Sequence, residues 1–394
     1  MSTAVRIVIV GAGMVGLTLA ALLSRAGHGR AMRISVVDAG AAPRFDEEDD
    51  VALRVSALSV GTIAALQSVA AWNRIRETRA CPYREMRVWD AADNPDGPDA
   101  LHFDAAEHAL PELGFIVENI LVQSVLHDIV ASSDVELLFG QRIEALTVHN
   151  GKPGLALQDA PGIEADLVIG ADGASSRVRE AAGIDVTGWN YGQKAFVTHV
   201  QPERPHGQTA WQRFLPSGPL GMLPLSDGRV SLVWSTTPQQ AEAALAASDA
   251  ELQSMLDVAS DGVLGAMRPA ASRGAFPLRA QYADAYVKPG IALLGDAAHS
   301  IHPLAGQGAN LGIADAVMLS EVILKALDDE KYPADLPVLR RYERARKGAN
   351  QTMLRFVDGL NRLFAIDAEP LASLRSGGMQ LFNRSGPLKR RAAQ

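Results

Sequence analysis

The chain has 394 residues, 47% hydrophobic and 21% charged, enough for a substantial core in one large domain or two intimate ones. A formal net charge of −8 excludes the basic face that a nucleic-acid partner needs. A single cysteine, Cys81, excludes an internal disulfide and fits a reducing compartment, and no apolar run reaches the roughly 20 residues of a spanning helix. The N-terminal apolar run carries its charge inside, at Arg6, and breaks at Gly11, so it does not read as a secretory signal. A cytoplasmic protein is expected, at most peripheral on the inner face of the cytoplasmic membrane.

The opening stretch "RIVIVGAGMVGLTLAALLSRAG" predicts a buried strand at Arg6–Val10 and a helix from Met14 to Gly27. Gly11, Gly13 and Gly16 between them have G-x-G-x-x-G spacing, in which backbone amides at a helix start face a pyrophosphate without any cation. A second strand, "MRISVVD", ends in Asp38, where an acid binds a ribose diol. The run "DEEDD" at 46–50 reads as a solvated loop. Segments 84–90, 195–200, 209–215, 219–225 and 229–235 alternate apolar and polar residues, as half-buried strands do. "EADLVIGADGASSRVREAAG" predicts a strand at Leu167–Gly170 and a short helix at Ser175–Ala182. Asp172 lies on the turn between them, and both a helix-capping Asx turn and a ligand contact fit it.

The stretch "GDAAHSIHPLAGQGANLGIADA" follows a strand at Ile291–Leu294 and precedes a long helix starting near Asn310. It contains no lysine or arginine. Asp296 suits a polyol hydroxyl, and the helix start suits the electron-rich edge of a flavin ring. His299 and His302 are read as structural, with no metal site, and Pro303 as fixing the path of the loop. From Leu336 the chain turns helical again. Its segment "MLRFVDGLNRLFAI" sets Leu354, Phe356, Val357, Leu360, Leu363 and Phe364 at near-helical spacing, followed by the basic "PLKRR". Core packing and contact with a membrane surface both fit that stripe.

With GAGMVG, ADGASSRVR and GDAAHSIHPLAGQGANLG in this order, and "LRVSALSVGTIAALQSVAAW" at 53–72, the chain resembles the class A flavoprotein aromatic monooxygenases of the para-hydroxybenzoate hydroxylase type. Within them it is most similar to the UbiH-like hydroxylases of ubiquinone biosynthesis. The resemblance implies an α/β fold, with a Rossmann-like FAD-binding domain (1–80, 105–182, 275–335) interleaved with a mainly β substrate domain (83–104, 183–274). A helical region, 336–394, follows. It implies that Gly11, Gly13, Met14, Val15 and Gly16 hold the pyrophosphate of FAD and Asp38 the adenosine ribose. Arg54 and Gln123 would touch FAD phosphates or the nearby ribose, Asp172 both FAD and NAD(P)H, and Asp296 the ribitol. Gly306, Gln307, Gly308, Ala309 and Asn310 would lie beside the flavin ring.

The implied reaction uses NAD(P)H as a transient electron donor and O2 to hydroxylate a small hydrophobic aromatic substrate, a polyprenyl phenol or benzoquinol of ubiquinone biosynthesis. The chemistry belongs to the flavin; Asp172 and Pro303 support it, and no side-chain catalyst is named. Trp211, Phe214, Met222, Trp234, Pro303 and Leu304 are the candidate pocket walls. Gly13→Val is expected to leave a colourless, poorly folded protein. Implied partners are a membrane surface and other ubiquinone-biosynthesis proteins. The rival readings are an oxidoreductase of the same fold acting on another aromatic or prenyl substrate, and a flavin-binding scaffold of a biosynthetic complex.

Overall fold

Four short apolar runs with almost no polar interruption have to be buried on both faces, as strands of a parallel sheet are. In a computed structural model, which describes residues 4–26, 30–149, 152–302 and 306–365, these runs are the strands Val5–Val10, Met32–Asp38, Leu167–Gly170 and Ile291–Leu293. They lie parallel, with Leu167–Gly170 and Met32–Asp38 flanking Val5–Val10 and Ile291–Leu293 beside Leu167–Gly170. Glu136–Phe139 and Val287–Lys288 close the two edges. Ile7, Ile9, Leu167 and Val168 are wholly buried in the resulting core. The first helix, Met14–Ala26, buries Leu17, Leu19 and Leu23 on this sheet; its expected last residue, Gly27, is outside the described residues.

The alternating segments form a larger, mainly antiparallel sheet. Thr209–Leu215 is observed as expected, Gly218–Pro224 and Val230–Thr236 are each displaced by one residue, and 195–200 is the centre of the long strand Val186–Pro202. Helices Pro238–Ala246 and Asp249–Ser260 cover one face, burying Phe196, Met222, Leu232 and Trp234. The expected change of domain at 275 falls inside a strand, Gly274–Ala283, which pairs with Val186–Pro202 over nearly its whole length. Residues 275–283 therefore belong with the large sheet: ladder hydrogen bonds continue through the point where the resemblance implied a boundary.

A small sheet, Val55–Ser59 with Gly114–Glu118 and Cys81–Tyr83, lies between the two larger ones. Ser59 caps the helix Val60–Ser68 by accepting from Thr62 N, so the "ALS" stretch does start a helix. The C-terminal helix, Leu336–Ala365, contacts both large sheets. Its Tyr342 hydroxyl donates to Leu293 O at 2.7 Å, Trp189 Nε1 donates to its Asp358 at 3.0 Å, and its Phe364 stacks on Phe214 at 3.9 Å. Leu354, Val357 and Phe364 of the apolar stripe are thus core residues, whereas Phe356 is 60% and Leu363 38% exposed. No described helix is long and apolar enough to cross a membrane.

Candidate active site

The parallel sheet brings the three glycine motifs together. Val10 is in register with Gly170 and with Val37, and Gly170 with Leu293, so the strands end side by side. Gly11, Asp38, Asp172 and Asp296 thereby sit along one carboxyl edge, where ligands bind in open α/β sheets.

The turn after the first strand is shaped by its neighbours. Gly11 has φ +107°, and a Cβ there would lie 2.3 Å from Ala171 O; a Cβ on Gly16 would lie 2.0 Å from Gly11 O. Both glycines are required by packing within the fold. Gly13 differs, since a Cβ there would meet nothing within 4 Å. It borders open space at the helix start, a cradle that fits a pyrophosphate approached by backbone. The packing gives no reason for the poor folding expected of Gly13→Val: a Cβ at Gly13 enters the cradle with no protein atom within 4 Å. Asp38 also shapes this turn, accepting from Ala12 N at 2.6 Å and from Gly40 N at 2.7 Å. Its remaining lone pairs fit a ribose diol. Met14 and Val15 are half-buried behind the turn.

Asp172 accepts from Ser176 Oγ at 2.5 Å, from Arg177 N at 2.7 Å and from Val178 N at 3.2 Å. The capping arrangement is therefore present, at the start of Arg177–Ala181. Arg179, which sequence reasoning missed, is buried and donates to Ala174 O and Ala297 O, both at 2.9 Å, tying the ADG turn to the GD turn. Asp296 is exposed. Yet enough protein surrounds it for desolvation to raise its carboxyl pKa, against His299 and Arg54, which lower it. A solvated group in crowded surroundings lines a cleft. Arg54 is exposed near it, and its carbonyl accepts from Asn119 N at 3.0 Å, at the start of the helix that carries half-buried Gln123.

The long helix begins at Gln307, three residues before the expected start, after Gly306 at φ +62°. Backbone amides of its first turn have no partner inside the helix. Gly308 and Ala309 are half-exposed there. Asn310 departs from expectation in its side chain, which is spent on the protein. It accepts from Thr62 Oγ1 at 2.7 Å and from Ser59 N at 3.0 Å, and donates to Ala57 O at 2.8 Å. Its amide clamps the helix start to the small sheet. Pro303 and Leu304 lie outside the described residues.

Beneath the GD turn lies a second feature that sequence reasoning missed. Asp315 is fully buried and accepts from Gly295 N at 3.2 Å, Arg346 Nε at 2.7 Å and Asn350 Nδ2 at 3.0 Å, with His299 Nε2 at 2.5 Å. Burial works to raise its pKa, but His299, Arg346 and Asn350 outweigh it and hold the carboxyl below its usual range. The available signal was a lone acid among apolar residues in "NLGIADAVML", which must be paired when buried. His299 is thus committed to Asp315. His302 packs edge-on against Tyr191 at 4.9 Å, and burial pushes its pKa down to about 4. Among the described residues no group of three or more histidine, cysteine or carboxylate side chains could hold a metal.

The expected pocket walls on the large sheet need correction. Met222, Trp234 and Trp211 face the covering helices, and Phe214 packs on the C-terminal helix. The alternate positions Gly221, Leu223 and Val233 are half-exposed on the other face, although their strands are central. A strand period of two places them opposite Trp211, Met222 and Trp234, and on the same face as Phe214, which the C-terminal helix covers.

Comparison with known proteins gives the family. The FAD binding domain family matches residues 4–357. The 3-demethoxyubiquinol 3-hydroxylase of Escherichia coli K12 is 39% identical over 389 residues, covering 98% of this chain and 96% of its own length. The ubiquinone hydroxylase UbiL of Rhodospirillum rubrum is 36% identical, with 98% and 87% covered. Pseudomonas aeruginosa PqsL, solved in complex with 2-aminobenzoylacetate, shares the fold at a TM-score of 0.79 and 24% identity, with 96% of this chain and 99% of that one covered. The chain therefore belongs to the FAD binding domain family, as a flavin-dependent monooxygenase with FAD as its cofactor.

Proposed function

We propose that the protein hydroxylates the ring of a ubiquinone precursor, a prenylated phenol or benzoquinol, with NAD(P)H and O2. The observation that carries this reading is the open cradle at Gly13, edged by Asp38, the ADG and GD turns and the Gln307–Asp328 helix start, with a partly apolar recess on the large sheet beyond. The names and near-full-length similarity of the relatives support the choice of substrate.

FAD, when bound, supplies electron transfer from NAD(P)H and activation of O2. The chain's own residues hold and shield it. The first-turn amides from Gly13 to Gly16 would face the pyrophosphate, with the Gly11 and Ala12 amides held by Val37 O and Asp38, and Asp38 would accept from the adenosine ribose. Arg54 and Gln123 would meet the phosphates or the nearby ribose, and Asp296 the ribitol. The amides of Gly306 to Asn310 face the electron-rich edge of the ring. Asp172 keeps the ADG turn in place for both cofactors. Residues 1–80, 105–182 and 284–335 make up the FAD-binding unit, and 83–104 and 183–283 the substrate unit.

The test supplies the holoprotein with NAD(P)H, oxygen-18 gas and a short-chain demethoxyubiquinol. Mass spectrometry should find labelled oxygen in the ring. NAD(P)H consumption without label in the product would favour an oxidoreductase of another kind, and no flavin reduction at all would favour a scaffold.

A prenylated substrate partitions into bilayers, and the reading includes contact with an anionic membrane surface. Phe356 and Leu363, seven residues apart, share an exposed helix face with Arg355 and Arg362. Each arginine contributes about 1 kcal/mol near such a surface. Wild-type protein should float with anionic liposomes at low salt, and Phe356→Ser/Leu363→Ser should not. A wild type that stays at the bottom of the gradient would mean delivery of the substrate by partner proteins. The basic "PLKRR" stretch lies outside the described residues.

A further inference from the structure

A mostly buried amide that no protein group engages, beside a glycine on a sheet face, calls for an explanation. Gln212 is such a group. It is 7% exposed, and among the described residues its side chain makes no hydrogen bond, while its amide atoms are not sealed from solvent. Its chain neighbours fix its direction. Trp211 packs with Met222 and Trp234 under the covering helices, and Arg213 donates to Val258 O and Ala259 O at 3.0 and 3.1 Å. Gln212 therefore points to the opposite face, into the recess.

On one side its neighbour is Val88, packed with Phe214 under the C-terminal helix; on the other side the sheet is bare. Gln212 is in register with Gly221, Gly221 with Val233, and Val233 with Val197. A Cβ on Gly221 would find only Val233 O, at 3.7 Å, so no protein atom fills the space above it. Val233 and Val197 pack with Leu53 and Tyr191, and Leu223 with Val55 and Ala57. Ala57 in turn touches the start of the long helix, 3.2 Å from where a Cβ on Gly306 would be. Apolar walls, a flat bare seat and a single amide thus open toward the flavin side. That composition is the usual one for a small-molecule pocket.

We propose that Gln212 is a specificity-determining residue, whose amide hydrogen-bonds an oxygen substituent of a substrate ring lying flat over Gly221. This rests on the hydroxylase reading above. An amide both donates and accepts, so it suits a ring that carries hydroxyl and alkoxy oxygens. A hydrocarbon ring would leave the amide unpaired, which is how a polar group in an apolar pocket discriminates.

The test is a binding measurement on the oxidised holoprotein, without reductant, so that no turnover intervenes. Two probes are titrated against the flavin absorbance: a short-chain demethoxyubiquinone, and a prenylated toluene of similar size with no ring oxygen. Gln212→Met should weaken the quinone about tenfold and the toluene hardly at all. Gly221→Val should weaken both by filling the seat. Flavin content and thermal midpoint check that each variant is folded. Gln212→Glu, closer in shape and with no amide donor, repeats the test should the methionine variant be unstable. Wild-type protein that binds neither probe would sink the hydroxylase reading itself. Wild-type binding that Gln212→Met and Gln212→Glu leave unchanged would overturn the role of Gln212 and leave that reading standing.

Discussion

Gly13→Val should yield a soluble, folded and colourless protein. The valine side chain enters space where no protein atom lies within 4 Å of its Cβ, so the fold has no reason to resist it. That same space is where the pyrophosphate approaches the backbone, and a branched side chain there replaces close amide contact with steric conflict. Loss of FAD affinity by a factor on the order of a thousand is expected, equivalent to roughly 4 kcal/mol. Gly16→Val provides the contrast. Its Cβ would lie 2.0 Å from Gly11 O, and the first turn cannot form around it. The two variants should separate cleanly in far-UV circular dichroism and flavin absorbance. Full flavin occupancy in folded Gly13→Val would contradict the cradle.

Removal of the Asp315 carboxylate has the second large effect. Asp315→Ala leaves Gly295 N, His299, Arg346 and Asn350 without their shared acceptor in a fully buried position. Breaking a buried charged pair from one side costs about 3–5 kcal/mol, read as a lower urea midpoint. The sign of the pH dependence follows from the lowered carboxyl pKa. The stabilisation is present in full above the unfolded carboxylate value of about 3.9 and is lost as pH falls through the lower folded value. Asp315→Asn, which keeps the shape, should therefore flatten the acid limb of the wild-type stability curve. An acid limb identical in wild type and Asp315→Asn would show that the carboxylate carries no such linkage.

Much of this was legible in the sequence because local rules suffice for it. The strand ends at Val10, Asp38 and Gly170 follow from apolar runs stopped by glycine or an acid, and the glycine spacing follows from the turn. The large sheet was readable strand by strand from its alternation. What alternation does not give is which face is covered. Trp211, Met222 and Trp234 are the bulky residues, and they went to the helices, because bulk seeks the drier side. The recess was left to the small residues Gly221 and Val233, which carry little signal. Asn310 and Asp315 illustrate a different limit. Both lie in the stretch expected to meet cofactor, yet both side chains are used to join segments far apart in sequence, to residues 57–62 and 346–350. Such long-range partners are fixed only by the assembled fold.

The C-terminal helix has a mechanical consequence. A helix of 30 residues is a rod about 45 Å long. This one is pinned near its start by Tyr342 to the parallel sheet and in its middle by Arg346 and Asn350 to Asp315. Near its end Asp358 and Phe364 pin it to the antiparallel sheet. The gap between the sheets is therefore spanned by a brace and not by a hinge. On the hydroxylase reading, a larger or smaller ring would be fitted by exchanging side chains packed beside Val233, such as Leu53 or Tyr191, and not by moving the two sheets apart.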